Sequence, residues 1–503
     1  MRGSVLCPRR PPSLGHHTGA PSPSLKATLA TLGGSAGLDP RTRSAVKVGC
    51  SDGGEQPALE RNWGAKSPPW ESLGQKCRLS LDMRDKDLYQ RILGIEAPWS
   101  VTDVELDLKD RRQGEVRVHV TGSSERWPCP ECSEPCPGYD HVPRRWRHLD
   151  TCQYPTILLA FVPRVQCPQH GVRQVRVPWG EPGSRFTALF EALIIDWLKE
   201  ASVAAVARQL GLSWHEVDGV MARAVRRGLR RRRRKLPARI GVDETSFQRR
   251  HEYVTVVIDH DAKVVAHVAD GRGRDSLDTF YQAHPLAERQ AVQSVTMDMW
   301  GPYIESTREH IPDAEVKIAF DKFHVAQHLG GAVDKVRRQE HRVLQREGDE
   351  RLKKTKYLWL ENPDELTAEA WEHFEPLRRS SLKTARAWAI KEFAMTLWAY
   401  RSRGWARRAW QRWYSWAIRS RLEPVKKVAR MVKRHLEGIL TAVVHGITNA
   451  RAESVNAKIQ WLKYTARGFR NRDRFRNAIY FHLGGLDLYP AGVTTSGDTH
   501  TKP

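Results

Sequence analysis

Apolar and polar residues alternate along two neighbouring segments of the chain, between residues 104 and 120. The apolar positions are Val104, Leu106 and Leu108 in the first segment and Val116, Val118 and Val120 in the second. The polar residues 109–114 lie between the two segments. Alternation with a period of two is typical of strands with one buried face, so this region predicts a β-hairpin.

A helical pattern covers residues 186–229, where apolar residues recur every three or four positions. Within it, Gly211 permits a tight turn, and Ser213 and Glu216 have the spacing of a capping box at the start of a second helix. This order of features predicts a helix-turn-helix. A plain helical hairpin inside a protein core is the alternative.

Short apolar runs separated by polar turns predict a sheet in the following region. The predicted strands cover residues 240–242, 253–258, 264–268, 294–297 and 316–320. A helical stretch at 276–289 separates the third strand from the fourth. Three strands in a row, followed by alternating helix and strand, are the order of a ribonuclease-H-like mixed sheet flanked by helices.

Acidic residues stand at the predicted ends of two of these strands. Asp243 ends the first strand and Asp298 ends the fourth, and these strands are neighbours in the predicted order, so the two carboxylates can meet. Two-metal phosphoryl transfer requires carboxylates that converge in this way. A later helix offers a third acid, Glu453.

Glu453 belongs to a polar stripe of one helical face. Its members are Asn449, Glu453, Asn456 and Gln460. Such a stripe fits a helix that faces a metal site, and a solvated helix face is the alternative.

Other polar residues compete for a place in the site. Glu244 adjoins Asp243, but successive side chains of a strand point to opposite faces, so we expect it to point away. Asp321 and His324 follow another strand and are candidates, with Asn456, for residues that support the metal ligands. A helix-capping aspartate and a packed histidine are the alternatives for the first two.

Cysteine spacing indicates a second metal site. Cys129 and Cys132 form a C-x-x-C pair, and Cys167 and His170 form a C-x-x-H pair. Two such pairs suit the tight turns of a zinc ribbon, which we favour over ordinary thiols. Cys136 and Cys152 fit neither pair, and we interpret them as packed or exposed thiols.

The charge of the chain favours a polyanionic partner. The 503 residues carry 82 Lys and Arg against 58 Asp and Glu, a net charge of +24. Together with the predicted helix-turn-helix this favours DNA, although a basic run of this kind can also be a solvated linker. The candidate DNA contacts are Ser213, Trp214, His215, Arg223, Arg226, Arg227, Arg230 and Arg231.

No run of apolar residues is long enough for a transmembrane helix, and no apolar signal segment opens the chain. The eight cysteines suit zinc better than a disulfide scaffold. We therefore expect an intracellular, cytoplasmic protein without a membrane partner.

These patterns divide the chain into seven parts. They are a disordered or non-native extension (1–82), an N-terminal helix and small strands (83–125), a zinc ribbon (126–180), a helix-turn-helix with a basic linker (186–236), the core (237–328 and 441–485), an all-helical insertion (329–440) and a tail (486–503). The extension is rich in Pro, Gly and Ser. We interpret it as the result of a start codon placed too far upstream, with a DNA-touching arm as the alternative.

Several stretches together resemble the ISL3 family of bacterial insertion-sequence transposases. They are LGIEAPWSV, CPEC, RRWRHLD, CPQHG, PWGEPGSRFT, GVDETSF, TMDMWGPY, FDKFHV and ITNARAESVNAKIQ. The resemblance covers nearly all of the chain after Met83 and implies an N-terminal zinc-binding segment, a helix-turn-helix and a DDE catalytic core. Some relatives carry Cys where His170 stands, and either residue binds zinc.

Transferred to this chain, the resemblance implies that Asp243, Asp298 and Glu453 bind two Mg²⁺ or Mn²⁺ ions, and that Zn²⁺ occupies the ribbon. It implies double-stranded DNA partners, namely terminal inverted repeats and target DNA, and a homodimer or larger assembly on DNA. It also implies a nucleoid-associated location in the bacterial cytoplasm. A catalytically inactive DNA-binding regulator and a nuclease that cuts without joining remain alternatives.

Overall fold

The computed structural model describes residues 84–108, 114–233, 235–248, 252–446 and 450–493, and the side chains of residues 248, 450 and 451 are not among the described parts. The predicted extension, the turn of the hairpin and residues 494–503 of the predicted tail therefore lie outside the described residues. All described residues belong to one compact unit, 79–503. None of its helices, as far as they are described, is long and apolar enough to span a membrane.

A six-stranded sheet forms the N-terminal part, after a helix α1 (Asp85–Ile92). Its strands are β1 (Trp99–Leu108), β2 (Gly114–Gly122), β3 (Arg126–Pro128), β4 (Pro135–Thr151), β5 (Tyr154–Cys167) and β6 (Gly171–Gln174), in the order β1-β2-β5-β4-β3 with β6 also paired to β5. The predicted hairpin is confirmed, since β1 and β2 pair antiparallel. The end of the hairpin next to its turn lies outside the core, as the exposed side chains of Leu106 and Leu108 show.

Four tryptophans pack together in the core of this sheet. The ring centroid of Trp99 lies 4.9 Å from that of Trp127 and 5.0 Å from that of Trp179, which in turn lies 5.4 Å from that of Trp146. The same core contains Cys129 and the other buried thiols of this region. The sheet core and the turns that carry the cysteines are therefore one packed unit.

Three helices follow, α2 (Ala188–Glu200), α3 (Val203–Leu210) and α4 (Trp214–Arg231). The predicted capping box is present, because Ser213 accepts from the backbone N–H of Glu216 and the Glu216 side chain accepts from that of Ser213. Gly211 adopts a left-handed conformation with φ of 63° between α3 and α4, which glycine reaches without strain. The turn and cap therefore form as the local sequence predicts.

The second sheet has five strands with the order β11-β10-β7-β8-β9. They are β7 (Arg239–Gln248), β8 (Glu252–Asp259), β9 (Val264–Asp270), β10 (Ser294–Met297) and β11 (Ile318–Phe320), with α5 (Asp275–Gln282), α6 (Leu286–Gln290), α7 (Gly301–His310) and α8 (Ala314–Lys317) between them. Strands β7, β8 and β9 are antiparallel, and β10 runs parallel to both β7 and β11.

Three predicted boundaries in this region differ from the structure. Strand β7 continues to Gln248 because β8 pairs with it past the two acids. The predicted helix 276–289 is two helices, which are separated at Pro285. The last strand is shorter than predicted, since residues 314–317 are helical.

A helical region follows, with α9 (Lys322–Arg346), α10 (Lys356–Leu360), α11 (Ala368–Arg379), α12 (Lys383–Thr396), α13 (Arg403–Arg419), α14 (Glu423–Arg434) and α15 (Leu436–His445). The chain returns to the sheet with α16 (Ala450–Thr465) and α17 (Arg472–Leu483). Trp359, Trp410 and Trp413 are buried anchors of this region. One hydrophobic cluster runs from β7 through these helices to α15, so the helical region shares the core of the sheet.

The opposite face of the sheet packs against α2, α3 and α4 together with α16 and α17, in a second continuous cluster. The helix-turn-helix therefore packs directly against the sheet, and the predicted domain boundaries stay a prediction. The start of the predicted tail also belongs to this contact: Leu488 is buried, and a Cβ added to Gly228 of α4 would lie 2.6 Å from Leu486.

Candidate active site

Asp243 lies in the middle of β7, and the next strand places Asp298 beside it. Gly241 of β7 is paired with Thr296 of the parallel strand β10. Asp243 and Asp298 each stand two residues beyond this pair, so the same level of the sheet carries both. The prediction that these two strands are neighbours is confirmed, although Asp243 does not end its strand.

The carboxylate of Asp243 is held by two hydrogen bonds. The backbone N–H of Glu244 donates to its Oδ1 at 2.8 Å, and the side-chain amide of Asn456 donates to its Oδ2 at 2.6 Å. Burial raises the pKa of Asp243 to about 6, and the nearby carboxylate of Asp298 adds to the rise. Burial also raises the pKa of Asp298, while the charge of His324 opposes the rise. Both acids therefore resist ionisation unless a cation is near.

Glu453 lies on the first turn of α16, and its side chain is exposed. Burial of part of the carboxyl raises its pKa, and the neighbouring Asp321 contributes to the rise. His324 interacts electrostatically with Glu453, Asp243 and Asp298 alike. The three acids thus share one histidine as a neighbour.

Asp321 and His324 begin the helix α9 directly after β11. Asp321 is buried and stands at the N-cap position, but its side chain forms no capping hydrogen bond. It lies next to Glu453, whose pKa it helps to raise. Both residues therefore lie where residues that support the acids would have to lie.

The polar stripe of α16 packs along β7. Asn456 contacts Asp243, the amide of Gln460 donates to Thr245 Oγ1 at 2.9 Å, and Lys463 donates to the carbonyl of Ser246 at 2.7 Å. Asn449, the remaining predicted member with Glu453, lies outside the described residues. The stripe therefore fixes α16 against the strand that carries Asp243.

Glu244 pairs with an arginine that sequence reasoning missed. The charges of Asp298 and His324 also act on its pKa, which burial raises, so its orientation away from the site stays a prediction. Arg272 Nη1 lies 3.2 Å from Glu244 Oε1. Its guanidinium also lies 4.3 Å from the ring centroid of Tyr253 and 4.7 Å from that of Trp300. The only sequence signal for Arg272 is its position in the short connection between β9 and α5.

The three predicted acids are more widely spaced than a closed metal site. Among the described residues, the sole group of three or more His, Cys, Asp or Glu whose ligand atoms all lie within 4.8 Å of one another is Cys129, Cys132, Cys167 and His170. The acids are brought to one region of the sheet by β7, β10 and α16 without direct contact among all three.

The four zinc candidates do form one compact cluster. The Sγ atoms of Cys132 and Cys167 are 3.7 Å apart, and His170 Nδ1 lies 3.5 Å from Cys167 Sγ and 3.8 Å from Cys129 Sγ. A tetrahedral zinc ion with ordinary bond lengths requires edges of about 3.8 Å between sulfurs and about 3.6 Å between sulfur and nitrogen. The residues therefore fit a single Cys₃His zinc ion.

The thiol of Cys167 is also prepared for a cation. Burial opposes its ionisation, but the backbone N–H groups of Gln169 and His170 favour the thiolate, and its pKa falls to about 7. Cys136 is buried in the same core and donates to the carbonyl of Glu134, while Cys152 is exposed. Neither of these two belongs to the cluster.

The predicted DNA contacts on α4 fall into two groups. Trp214, His215, Arg226 and Arg230 are exposed, and Ser213 caps the helix. Arg227 is 3% exposed, and its guanidinium binds the carboxylates of Glu181 and Glu191. Arg223 also binds the buried Glu191. Arg227 is therefore corrected from a DNA contact to a buried ion-pair partner, and Arg223 shares that role.

Arg231 is exposed but occupied, since its guanidinium binds Asp487 Oδ2 at 2.9 Å and the carbonyl of Tyr489 at 2.6 Å. Of the predicted arginines, Arg226 and Arg230 are therefore best placed to meet phosphates.

Comparison with known proteins agrees with this arrangement. Residues 240–479 match the family model of the ISL3 DDE domain, described as a transposase. Residues 175–225 match the helix-turn-helix domain of transposase family ISL3, and residues 125–170 match the zinc-finger of transposase IS204/IS1001/IS1096/IS1165. No solved structure gave a match.

Two curated relatives extend over most of the chain. The transposase for insertion sequence element IS1557 from Mycobacterium tuberculosis is 30% identical over 419 residues, which cover 77% of this chain and 93% of the relative. The transposase for insertion sequence element IS1001 from Bordetella parapertussis is 28% identical over 365 residues, which cover 72% of this chain and 89% of the relative. With the zinc-ribbon, helix-turn-helix and DDE segments all matched in order, the chain belongs to the ISL3 family of insertion-sequence transposases.

Proposed function

We propose that this transposase cleaves and joins DNA at the ends of its insertion sequence through Asp243, Asp298 and Glu453. One observation carries the proposal: Asp243 and Asp298 lie at the same level of two adjacent parallel strands, in a site where burial raises the pKa of both. In such a site the ionised form of both acids is disfavoured unless positive charge is nearby, which suits the site to a divalent cation.

The sheet supports a ribonuclease-H-like core. Three antiparallel strands are followed by two parallel ones, with the order β11-β10-β7-β8-β9. In this order the first and fourth strands of the core are neighbours, and a later helix, α16, supplies Glu453. The parallel pairing of β7 with β10 would therefore bring Asp243 and Asp298 side by side, although they are distant in sequence.

The acids supply the ligand type for two Mg²⁺ or Mn²⁺ ions, since carboxylate oxygens are the preferred ligands of such hard cations. When bound, these ions would activate a water or a DNA 3′-hydroxyl and stabilise the leaving oxygen. Asn456 orients the Asp243 carboxylate by donating to Oδ2, which leaves Oδ1 toward the Glu244 amide. His324 lies next to all three acids and opposes the rise in their pKa values that burial causes.

The DNA is proposed to be held by the N-terminal modules. The exposed N-terminus of α4, with Trp214 and His215, would enter the major groove of the DNA. Arg226 and Arg230 would neutralise phosphates. The terminal inverted repeats would be the DNA that is bound specifically, and target DNA would be the second DNA partner. We propose a homodimer or larger assembly on DNA, acting at the bacterial nucleoid.

A cleavage and joining assay tests the proposal. The full chain, a labelled duplex ending in the element's terminal repeat, and Mg²⁺ should give a nick at the end and transfer of that end into a second duplex. Asp243→Asn should abolish both reactions and leave end binding intact. Equal activity of the Asp243→Asn variant would overturn the assignment, and cleavage without joining would make the protein a nuclease.

A further inference from the structure

A cleft lies between the helix-turn-helix and the last two helices of the core. Its volume is about 690 Å³. One wall comes from α2, α3 and α4, and the other from α16, α17 and the turn between them. Its size is that of sites that enclose small ligands.

Aromatic side chains stand in both walls of the cleft. Trp461 of α16 is 59% exposed, and Trp214 of α4 is 37% exposed. Tyr464 follows three residues after Trp461 and is 84% exposed. Exposed large aromatic rings of this kind leave apolar faces in water, which a stacking partner would cover.

Basic side chains surround these rings. Arg208, Arg467 and Arg470 line the cleft and form no ion pair within the part of the chain that the structure describes. Arg474 lies 4.5 Å from the ring centroid of Trp214 and pairs with Asp218 at 2.9 Å, which ties the two walls together. Unpaired guanidinium groups next to exposed aromatic rings match phosphates next to nucleobases.

The cleft also lies on the route to the proposed active site. Helix α16 carries both Glu453 and Trp461, and at a rise of about 1.5 Å per residue they are roughly 12 Å apart along its axis. The other wall contains Trp214, the first residue of α4, the helix that is proposed to enter the major groove. A DNA strand that runs from α4 to the acids therefore passes this cleft.

We propose that this cleft binds unpaired nucleotides of the DNA end, with a base stacked on Trp461 and phosphates bound by Arg467 and Arg470. The inference rests on the proposed function, because the strand that occupies the cleft is the one to be cut. A recess of this size admits single bases, whereas the bases of a duplex are already stacked on one another and cannot enter it.

Binding of two simple probes tests the proposal. Fluorescence anisotropy would compare labelled dT12 with a 12-base-pair duplex, in buffer without Mg²⁺ or Mn²⁺. Trp461→Ala should weaken binding of dT12 by about tenfold, within the range expected for one stacked base, and leave duplex binding within about twofold. Arg470→Ala should weaken dT12 binding and lower its salt dependence by about one counterion.

Trp405→Ala is the matched control. Trp405 is 56% exposed and carries Arg408 4.0 Å from its ring centroid, but it lies on α13 of the helical region. This variant should bind both probes like the unchanged chain. Cross-linking of dT12 that contains 5-iodouracil should label the peptide with Trp461 and lose that label in Trp461→Ala.

Unchanged dT12 binding by Trp461→Ala, or an equal loss for dT12 and the duplex, would overturn the inference. Neither outcome touches the assignment of Asp243, because no cleavage is measured. Conversely, failure of the cleavage assay together with Trp461-dependent dT12 binding would overturn the proposed function and keep the cleft as a site for unpaired DNA.

Discussion

At the scale of single residues, Asp243 combines burial, a neighbouring acid and two hydrogen bonds. Its pKa of about 6 means that folding favours the protonated carboxyl. In metal-free protein, the free energy of unfolding therefore falls as the pH rises from about 4 through 6. A bound cation reverses this balance, since it favours the carboxylate.

Asp243→Asn should stabilise the metal-free protein while it abolishes catalysis. The new amide carries no charge to bury, and a rotated Asn456 amide can pair with it, since Asn456 Oδ1 has no partner among the described residues. We expect the melting temperature at pH 7.5 to rise by about 2–4 °C. Differential scanning calorimetry measures this, with Asp261→Asn, an exposed acid outside the site, as the control. A lower melting temperature would contradict the argument.

Cation binding should depend on pH in a defined direction. Because the carboxylate of Asp243 must lose its proton, the affinity for Mn²⁺ should fall about tenfold per pH unit below about 6 and level off above it. Isothermal titration calorimetry between pH 5 and 8 would measure it. An affinity that does not change over this interval would show that Asp243 is not a ligand.

At the scale of secondary-structure elements, the zinc cluster joins two turns of the N-terminal sheet. Cys129 and Cys132 flank the turn between β3 and β4, and Cys167 and His170 flank that between β5 and β6. The cluster therefore closes the end of a sheet whose tryptophan core lies beside it.

Cys132→Ser should release the zinc ion and loosen this sheet. One of four ligands is lost, and zinc binding free energy is folding free energy in such small sites. Zinc measured by mass spectrometry should fall from about one ion per chain to well below it, with faster proteolysis in residues 126–174. Cys152→Ser, a change at an exposed thiol outside the cluster, is the control and should retain both zinc and resistance. Full zinc content in Cys132→Ser would exclude the assigned ligand set.

Elements set by local spacing could be predicted from the sequence, whereas those set by distant contacts could not. The capping box of Ser213 and Glu216 and the paired cysteines depend on neighbours three residues apart. The burial of Arg227 depends on Glu181, Glu191 and the carbonyl of Leu488, and its sequence position in a basic run gave no sign of them. For the same reason, the pairing of Arg272 with Glu244 was missed.

At the scale of the whole molecule, the helix-turn-helix and the second sheet share one hydrophobic cluster. A network of buried charges joins α2 and α4 and reaches the C-terminal segment: Arg227 and Glu191 are 3% and 1% exposed, and Arg227 also donates to the carbonyl of Leu488. A buried charge that loses its partner is costly, so this network makes the packing of α4 intolerant of single changes.

Arg227→Ala should therefore destabilise the protein by about 3 kcal/mol, with no specific loss of a phosphate contact. Arg226→Ala is the matched comparison one position away: Arg226 is exposed, so its loss should leave the melting temperature unchanged and reduce the salt dependence of DNA binding. Thermal unfolding and anisotropy titrations at several salt concentrations separate the two effects. If the two variants exchanged these behaviours, the assignment of Arg227 as a structural residue would be wrong.

The contact between Leu486–Tyr489 and α4 limits how new specificity can be built from this scaffold. An engineer who exchanges residues 186–231 for those of another family member would place foreign residues at positions 227 and 228 against the native Leu486 and the native carbonyl of Leu488. A working chimaera has to carry the 486–489 segment along with the helices, although more than 250 residues separate the two grafts in sequence. Natural change of end recognition is under the same restriction, which favours stepwise substitution on the exposed face of α4 over the shuffling of whole modules.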